Sequence, residues 1–433
     1  MSLFKRIISY LVRQLIRLSV YFNCPKLTAL FFSLIARQLN PSGTYTVLCI
    51  TKSIFIDDIK AMAAYGRGIK YVLLHAMYLR IIFYSFIKVG QLTHTNYHLN
   101  KCHDEKKKEY YLYLNKMFPL LKKLIAFDAV LSGNYVYSYQ QELARICGKK
   151  GVPFIVLHKE GIAVPDKYPD LLRTYSNRKF IGAKMLVYND AVKEALLGFN
   201  ISGLHESKVE VVGVPRLDAY FNKKTNTGKC VAFFSFYPKD KFSYFMRDEN
   251  TFQQIEERSA NFHRQIMDFS LKHSDIRVVI KTKASPYCLP YVQKILMDNF
   301  KTNIHNLCIT NSANTFDLVQ DSNAIIGFNS VVLIEGLLAG KIILSPNFGD
   351  LLPDMSWDYF KGYPELINYV KHDADLEEYI INSNKYLKYD PKRKKDFLEG
   401  LISKPDGRAS IRAEDSIIKT IESFRNIDSP PEN

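Results

Sequence analysis

The sequence is poor in cysteine, and none of its cysteines is arranged for a metal. The seven stand scattered at 24, 49, 102, 147, 230, 288 and 308, with no C-x-x-C pair and no Cys/His cluster at ligand spacing. A dispersed, odd-numbered set argues against structural zinc and for a reducing compartment. Long apolar runs are missing too: none approaches the roughly 20 residues that a spanning helix needs. Arg13 and Arg17 interrupt the first apolar stretch and no small-residue cleavage site follows it, which sets aside a signal peptide. There is no internal repeat and no low-complexity block. Helix-turn-helix spacing, RNP-like aromatic signatures and zinc fingers are absent and the basic residues are spread along the chain, so nucleic acid is not the expected partner. A cytoplasmic protein is expected.

What is present is a chain of 433 residues, 47% hydrophobic and 13% aromatic. That length suggests about two or three domains, and that composition supports a large core, which excludes a mainly disordered chain. Lys and Arg number 59 against 43 Asp and Glu, a net charge of +16. Such a surplus favours anionic partners, among them phosphorylated or carboxylated small molecules and a negatively charged membrane.

Residues 3–18 place Leu3, Phe4, Ile7, Ile8, Leu11, Val12, Leu15 and Ile16 in pairs every four residues, one stripe of an α-helix, with Lys5, Arg6, Arg13 and Arg17 off it. This suits a helix lying in the headgroup region of an anionic leaflet, peripheral on the inner face of the cytoplasmic membrane; it equally suits a helix packed on the body of the protein. Pro25 is expected to end the segment.

From residue 44 short apolar runs alternate with helical stretches. Strands are expected at 45–50 (YTVLCI), 69–74, 126–131 (AFDAVL), 153–157 (PFIVL), 184–188 and 209–212, with helices at about 56–65, 77–88, 109–124 and 137–149. Residues 214–229 turn polar and read as a linker. A second series follows, with strands at 230–236, 277–281, 307–310, 324–327 and 341–344 and helices at about 252–272, 287–299, 314–319 and 330–339. This alternation predicts α/β architecture with parallel sheets covered on both faces. The expected organisation is N-terminal amphipathic helices over 1–40, Rossmann-like domains over 41–220 and 229–360 facing a cleft, and C-terminal helices and a tail over 361–433. Ligands in such sheets bind outside the carboxyl ends of the strands.

The most informative stretch runs from Gly327-Phe328-Asn329-Ser330 through Glu335-Gly336 to Gly340. A strand ends in small polar residues where a helix starts, and free N–H groups at a helix start bind anions. Ser330 can cap them or donate its hydroxyl. Glu335, a little over one turn further on, is placed to accept from the hydroxyls of a ribose. Lys239, Lys241, Lys281 and Lys283 flank the ends of two strands of the second series, where phosphate or carboxylate groups would lie. His158 and Glu160 follow a buried strand and are expected on one face, Glu160 as a base toward an acceptor hydroxyl and His158 in support. Ser132-Gly133-Asn134 could line the acceptor side, and is also ordinary turn chemistry.

FNSVVLIEGLLAGKIIL resembles the strand–Ser–helix–Glu–Gly–strand segment of GT-B glycosyltransferases, above all those using CMP-activated sugars and their CDP-alcohol transferase cousins. Val212-Gly213-Val214-Pro215-Arg216-Leu217-Asp218 resembles the segment closing their N-terminal domain, and His158-Lys159-Glu160-Gly161 a motif of bacterial surface-carbohydrate transferases. Lys281-Thr282-Lys283-Ala284-Ser285-Pro286 sits where these enzymes carry a Lys/His-Pro phosphate motif, with Lys283 in place of the histidine. The combination is most similar to the retaining β-Kdo transferases of bacterial capsules and lipopolysaccharide O-antigens, over roughly residues 45–350.

The resemblance implies a GT-B fold, a CMP-Kdo donor and a lipid-linked or oligosaccharide acceptor. It implies donor contacts from Asn329, Ser330, Glu335, Lys239, Lys281, Lys283 and Ser285. It also implies an aspartate adduct, for which Asp240 is the candidate and Asp190 and Asp218 are rivals. No DxD-type carboxylate pair lies in a βα loop, and the lysines can hold the leaving phosphate, so neither a metal nor another cofactor is expected.

Overall fold

In a computed structural model of the chain, residues 3–51, 55–164, 167–173, 178–222, 229–242, 248–352, 358–387 and 389–427 are described. They form two compact units, residues 1–219 with 399–433 and residues 220–398. Each is built on a parallel sheet.

Among the described residues the first unit contains seven strands in the order β1-β3-β2-β4-β5-β6-β7. They are β1 (Arg37–Gln38), β2 (Tyr45–Thr51), β3 (Ile69–His75), β4 (Ala129–Ser132), β5 (Phe154–Leu157), β6 (Lys184–Val187) and β7 (Val209–Val211). Only the short edge strand β1 runs antiparallel to its neighbour. Val47, Leu48, Cys49 and Ile50 of β2 are all buried, as continuous apolar runs must be when helices cover both faces. Those helices include α1 (Leu3–Tyr21), α2 (Pro25–Ile35), α3 (Phe55–Tyr65), α4 (Ala76–Phe86) and α5 (Asp104–Ile125).

Two expectations are corrected here. Pro25 does not end the N-terminal segment but opens α2, where its missing N–H costs nothing. The strand expected from residue 126 begins at Ala129, because Ala126 adopts a left-handed conformation (φ 54°) that closes α5.

The second unit contains β8 (Cys230–Phe234), β9 (Arg277–Lys281), β10 (Leu307–Thr310), β11 (Ala324–Gly327), β12 (Ile342–Pro346) and β13 (Asn368–Val370), all parallel, in the order β10-β9-β8-β11-β12-β13. The chain moves outward from β8 through β9 to β10, then returns to β8's other side and moves outward again from β11. The switch point therefore lies between β8 and β11. The helix Val331–Leu338 packs so closely on the sheet that a Cβ at Gly336 would come within 3.0 Å of Ile325 and Ile343.

The C-terminal region is not a domain of its own. Residues 361–398 belong to the second unit, where β13 extends the sheet, whereas residues 399–433 belong to the first. Helix Ala409–Ile427 is fixed there by buried Glu414, whose carboxylate accepts from the backbone N–H groups of Arg67 (2.6 Å) and Gly68 (2.7 Å) and from the Tyr71 hydroxyl (3.0 Å). Nor is the start of the expected linker loose. Buried Asp218 accepts from the N–H groups of Ala409 (3.0 Å) and Ser410 (2.6 Å), at the first turn of that helix. Arg216 reaches buried Asp58 of α3 (3.1 Å) and also donates to Tyr188, whose hydroxyl in turn donates to Asp58 (2.7 Å). Residues 223–228 lie outside the described residues.

Candidate functional site

Three strands of the second unit end around one small cavity of about 120 Å³. β8 leads into Ser235, β9 ends in Lys281 and continues to Thr282 and Lys283, and β11 leads to Phe328 and Ser330; all of these line it, together with Lys241 and Phe236. It therefore sits at the switch point, where crossover connections diverge and leave a crevice.

The lining is cationic and donor-rich. Lys241 is largely enclosed, its ammonium donating to the Asn329 carbonyl (2.7 Å) and lying 5.9 Å from the centre of the Phe328 ring. Burial, and then the charge of Lys283, lower its pKa to about 8. Burial also lowers the pKa of Lys281, against the opposing pull of Glu335. Asn329 holds φ 40°, a left-handed conformation that asparagine tolerates, and its side-chain oxygen accepts from the Tyr359 N–H (3.3 Å). That kink starts the helix Val331–Leu338. The Ser330 hydroxyl makes no capping bond to the helix, and the start of a helix suits an anion.

Ser235 differs from the other lining groups. Its hydroxyl lies 2.7 Å from Nε2 of His263, and His263 Nδ1 lies 2.7 Å from the Ser259 carbonyl. A carbonyl can only accept, so Nδ1 carries the proton, Nε2 is an acceptor and Ser235 donates to it. The serine thus turns lone pairs toward the cavity. Burial lowers the His263 pKa to about 4, and a neutral carbonyl, not a carboxylate, orients the ring. Such an imidazole is a weak base, and the pair is a fixed polar contact, not an activated nucleophile.

Glu335 is half-buried and accepts from the Tyr220 hydroxyl (2.9 Å), while the Tyr220 ring packs on Phe316. A neighbouring cavity of about 350 Å³ shares Phe328 with the small one and is lined by Asn329, Ser345, Asn347, Phe348, Asp358, Tyr369 and Lys371 among others. The two cavities together offer a cationic corner beside a larger polar and aromatic one.

Of the residues singled out from the sequence, Lys281, Lys283 and Ser330 meet at the small cavity, and Asn329 supports it. Lys239 is exposed and does not line it; Lys241, two residues on, does. Ser285 is half-buried in the turn that leads into the helix Cys288–Asn299. Asp240 is exposed outside the cavity lining, its carboxylate 4.0 Å from the Cys288 sulfur. Asp218 is occupied as described above, and Asp190 is exposed in the first turn of a helix that Asn189 caps.

In the first unit the structure brings 132–134 and 158–160 together: the Lys159 N–H donates to the Gly133 carbonyl (3.1 Å). It does not keep His158 and Glu160 equivalent. β5 ends at Leu157; beyond it His158 is fully enclosed, its ring 5.9 Å from Tyr135, while Glu160 is exposed and paired with Lys159 (3.0 Å). Burial lowers the His158 pKa to about 4. Ser132 and Asn134 are also buried. The Ser132 hydroxyl lies 2.5 Å from Gln140 Oε1, and Asn134 Oδ1 accepts from the Val136 N–H (3.2 Å), so both serve the turn that they form.

Sequence reasoning missed Ser235, Thr282 and His263. A Phe-Ser-Phe after a strand carries no chemical signature, and the histidine that meets the serine comes 28 residues later. Among the described residues no group of His, Cys, Asp and Glu could hold a metal ion.

No protein-family profile matches the sequence, and no curated protein matches it. Solved structures do. The wall teichoic acid polymerase TagF superposes with a TM-score of 0.51 at 11% identity, over 96% of this chain and 98% of that one. A candidate UDP-N-acetylglucosamine 2-epimerase from Listeria monocytogenes gives 0.50 at 11% identity, over 90% and 99%. Another UDP-N-acetylglucosamine 2-epimerase gives 0.50 at 13% identity, over 90% and 99%. The fold is GT-B. At such identities the likeness establishes the fold and leaves chemistry to the site. A relation to Kdo transferases in particular is not shown by these neighbours.

Proposed function

We propose that the chain is a transferase that takes a group from a nucleotide-linked donor and passes it to a hydroxyl of a surface-polymer acceptor, with an acidic sugar such as Kdo on CMP as the donor. The observation that carries this reading is the cavity between β8 and β11, where Lys241, Lys281, Lys283 and Ser330 converge at the start of a helix. In glycosyl transfer the bond between the anomeric carbon and the phosphate oxygen breaks, and the nucleotide leaves with the electron pair. Fixed cations and N–H groups beside that oxygen stabilise the charge as it develops, the role metal ions fill in other sites. Glu335 supports a ribose contact, and the larger adjoining cavity has room for a base or the sugar. The acceptor would be lipid-linked or an oligosaccharide, and Glu160, an exposed carboxylate paired with Lys159, is the candidate base for its hydroxyl.

A second reading is transfer of an alcohol phosphate from a CDP-linked donor. It is favoured by the position of Asp240, outside the cavity lining, because attack of the acceptor on phosphorus requires no enzyme nucleophile. The likeness to a wall teichoic acid polymerase supports the same class of acceptor.

Thermal stabilisation by CMP, CDP, UDP and GDP, with Glu335→Ala as control, tests both. A ligand of the native state raises the melting temperature by mass action. Stabilisation by CMP that is lost in Glu335→Ala supports the CMP-sugar reading, and a preference for CDP supports the second. Stabilisation by UDP or GDP alone overturns the cytidine assignment, and none by any nucleotide overturns the transferase reading in favour of a non-catalytic GT-B scaffold.

A further inference from the structure

We propose that α1 and α2 form a rigid docking surface for an anionic lipid bilayer. The apolar stripe read from the sequence is divided by the fold. Ile16 and Val20 turn inward with half-buried Val12, while Leu11, Leu15 and Leu18 stay exposed. The second helix repeats this: Thr28, Ala29 and Phe32 are buried, and Leu27, Leu30 and Leu34 are exposed, Leu34 to 72%. At the turn between the helices Tyr21 and Phe22 stand open, 82% and 66% exposed, with their rings 5.1 Å apart. Thus each helix has one apolar face spent on the core and a second facing water. That second face needs an occupant.

The hairpin is held firmly. Ser19 and Thr28 hydroxyls meet at 2.6 Å, and Thr28 meets the Tyr113 hydroxyl of α5 at 2.5 Å, all three buried. The outward leucines are therefore presented by a fixed scaffold and not by a loose tail.

Charge selects the occupant. Between residues 1 and 56 there is no Asp or Glu; the first acid is Asp57, and the same stretch carries seven Lys and Arg residues. Arg17 and Lys26 are exposed beside the leucine stripes. Beside the surface, α1 and α4 border a groove of about 940 Å³ whose lining includes Arg17, Leu18, Tyr21, Arg80 and Tyr84; its one acid, Glu109, is already paired with Lys106 (2.8 Å). Two arginines over apolar walls suit a phosphate headgroup with its chain beneath. A second copy of this surface would set cations against cations, which disfavours self-association. No described helix is long and apolar enough to cross a membrane, so the geometry is that of helices lying in the interface.

The test is co-sedimentation of the full chain with vesicles of phosphatidylcholine alone or mixed with phosphatidylglycerol, and it needs no nucleotide, so its outcome is independent of the proposed reaction. Binding is expected to the anionic vesicles and to weaken as salt is added. Leu11→Asp with Leu30→Asp is expected to lower it at least about tenfold, since each change sets an acid on the contact face. Met297→Asp, at a still more exposed apolar position on the second unit, is the control and is expected to leave it unchanged. Arg17→Ser with Arg80→Ser is expected to reduce the preference for anionic over neutral vesicles. Absence of binding by the unaltered chain overturns the proposal, as does salt-insensitive binding to both vesicle types. A dimer in solution that the leucine substitutions dissolve also overturns it, because a protein would then be the occupant.

Discussion

Ser235 and His263 share one proton contact of 2.7 Å, and its direction is fixed by a third group, the Ser259 carbonyl on the other ring nitrogen. In a cavity rich in lysine ammonium groups, this leaves the serine as an acceptor. A ligand hydroxyl or a lysine ammonium can use it; a fully ionised phosphate cannot. Ser235→Ala is therefore expected to weaken binding of CMP or CDP more than binding of inorganic phosphate, by about three- to tenfold for one neutral hydrogen bond. Calorimetric titration of the two ligands checks it.

Binding at the same cavity is expected to depend on the charge of Lys241. Its pKa lies near 8 because burial and Lys283 both disfavour the ammonium. Its charge is present below that value and lost above it, so nucleotide affinity should fall as pH rises from 7 to 9. Lys241→Met should remove this dependence and lower affinity at pH 7 about tenfold or more, the scale of one charge-assisted bond. Lys283→Ala should shift the midpoint upward. Affinities measured across pH for the three proteins decide the point.

Two buried histidines, one in each unit, make the fold acid-sensitive. Burial lowers both His158 and His263 from 6.5 to about 4. The unfolded chain binds these protons more readily, so folding stability falls as pH drops: the contribution is complete above about 6.5 and is lost progressively on acidification toward 4, on the order of 3 kcal/mol for each group. Unfolding curves at pH 7.5 and 5 should show the loss, and His158→Gln and His263→Gln should each lessen it.

Asp58 and Arg216 form a buried ion pair that Tyr188 completes. Asp58→Ala leaves a largely buried guanidinium without its carboxylate and is expected to cost about 3–5 kcal/mol in the first unit. Urea unfolding followed by a probe in that unit measures it.

Asp218 separates structural from catalytic use of a carboxylate. Because it holds the first turn of helix Ala409–Ile427, Asp218→Ala should cost about 0.5–2 kcal/mol of stability while the transfer rate is retained below the new melting temperature. Asp240→Ala and Glu160→Ala, both at exposed positions, should leave the melting temperature unchanged. Loss of activity in Asp240→Ala with a CMP-sugar would support an aspartate adduct, and full activity with a CDP-alcohol would support direct attack on phosphorus.

By itself the sequence determined the α/β alternation, the two parallel sheets and the βα junction at Ser330, because these rest on local patterns: runs of four to seven apolar residues, helical periodicity, and a small polar residue before an apolar helix. YTVLCI and AIIG are legible for that reason. The lysines at the ends of β8 and β9 were legible as a group, since strand ends in such sheets gather on one side. Which lysine of the pair 239 and 241 enters the cavity was left to the tertiary structure, as the turn at Pro238 sets it. Tertiary structure also decided that His158 is enclosed while Glu160 is exposed, that Asp218 is a cap, and that Ser235 finds His263. Each of these depends on a partner brought from elsewhere in the chain, up to 192 residues away. The N-terminal helix shows the division most plainly. Its periodicity fixed a helix, but only packing against α4 and α2 determined that the core takes Ile16 and Val20 and leaves Leu11, Leu15 and Leu18 to face outward.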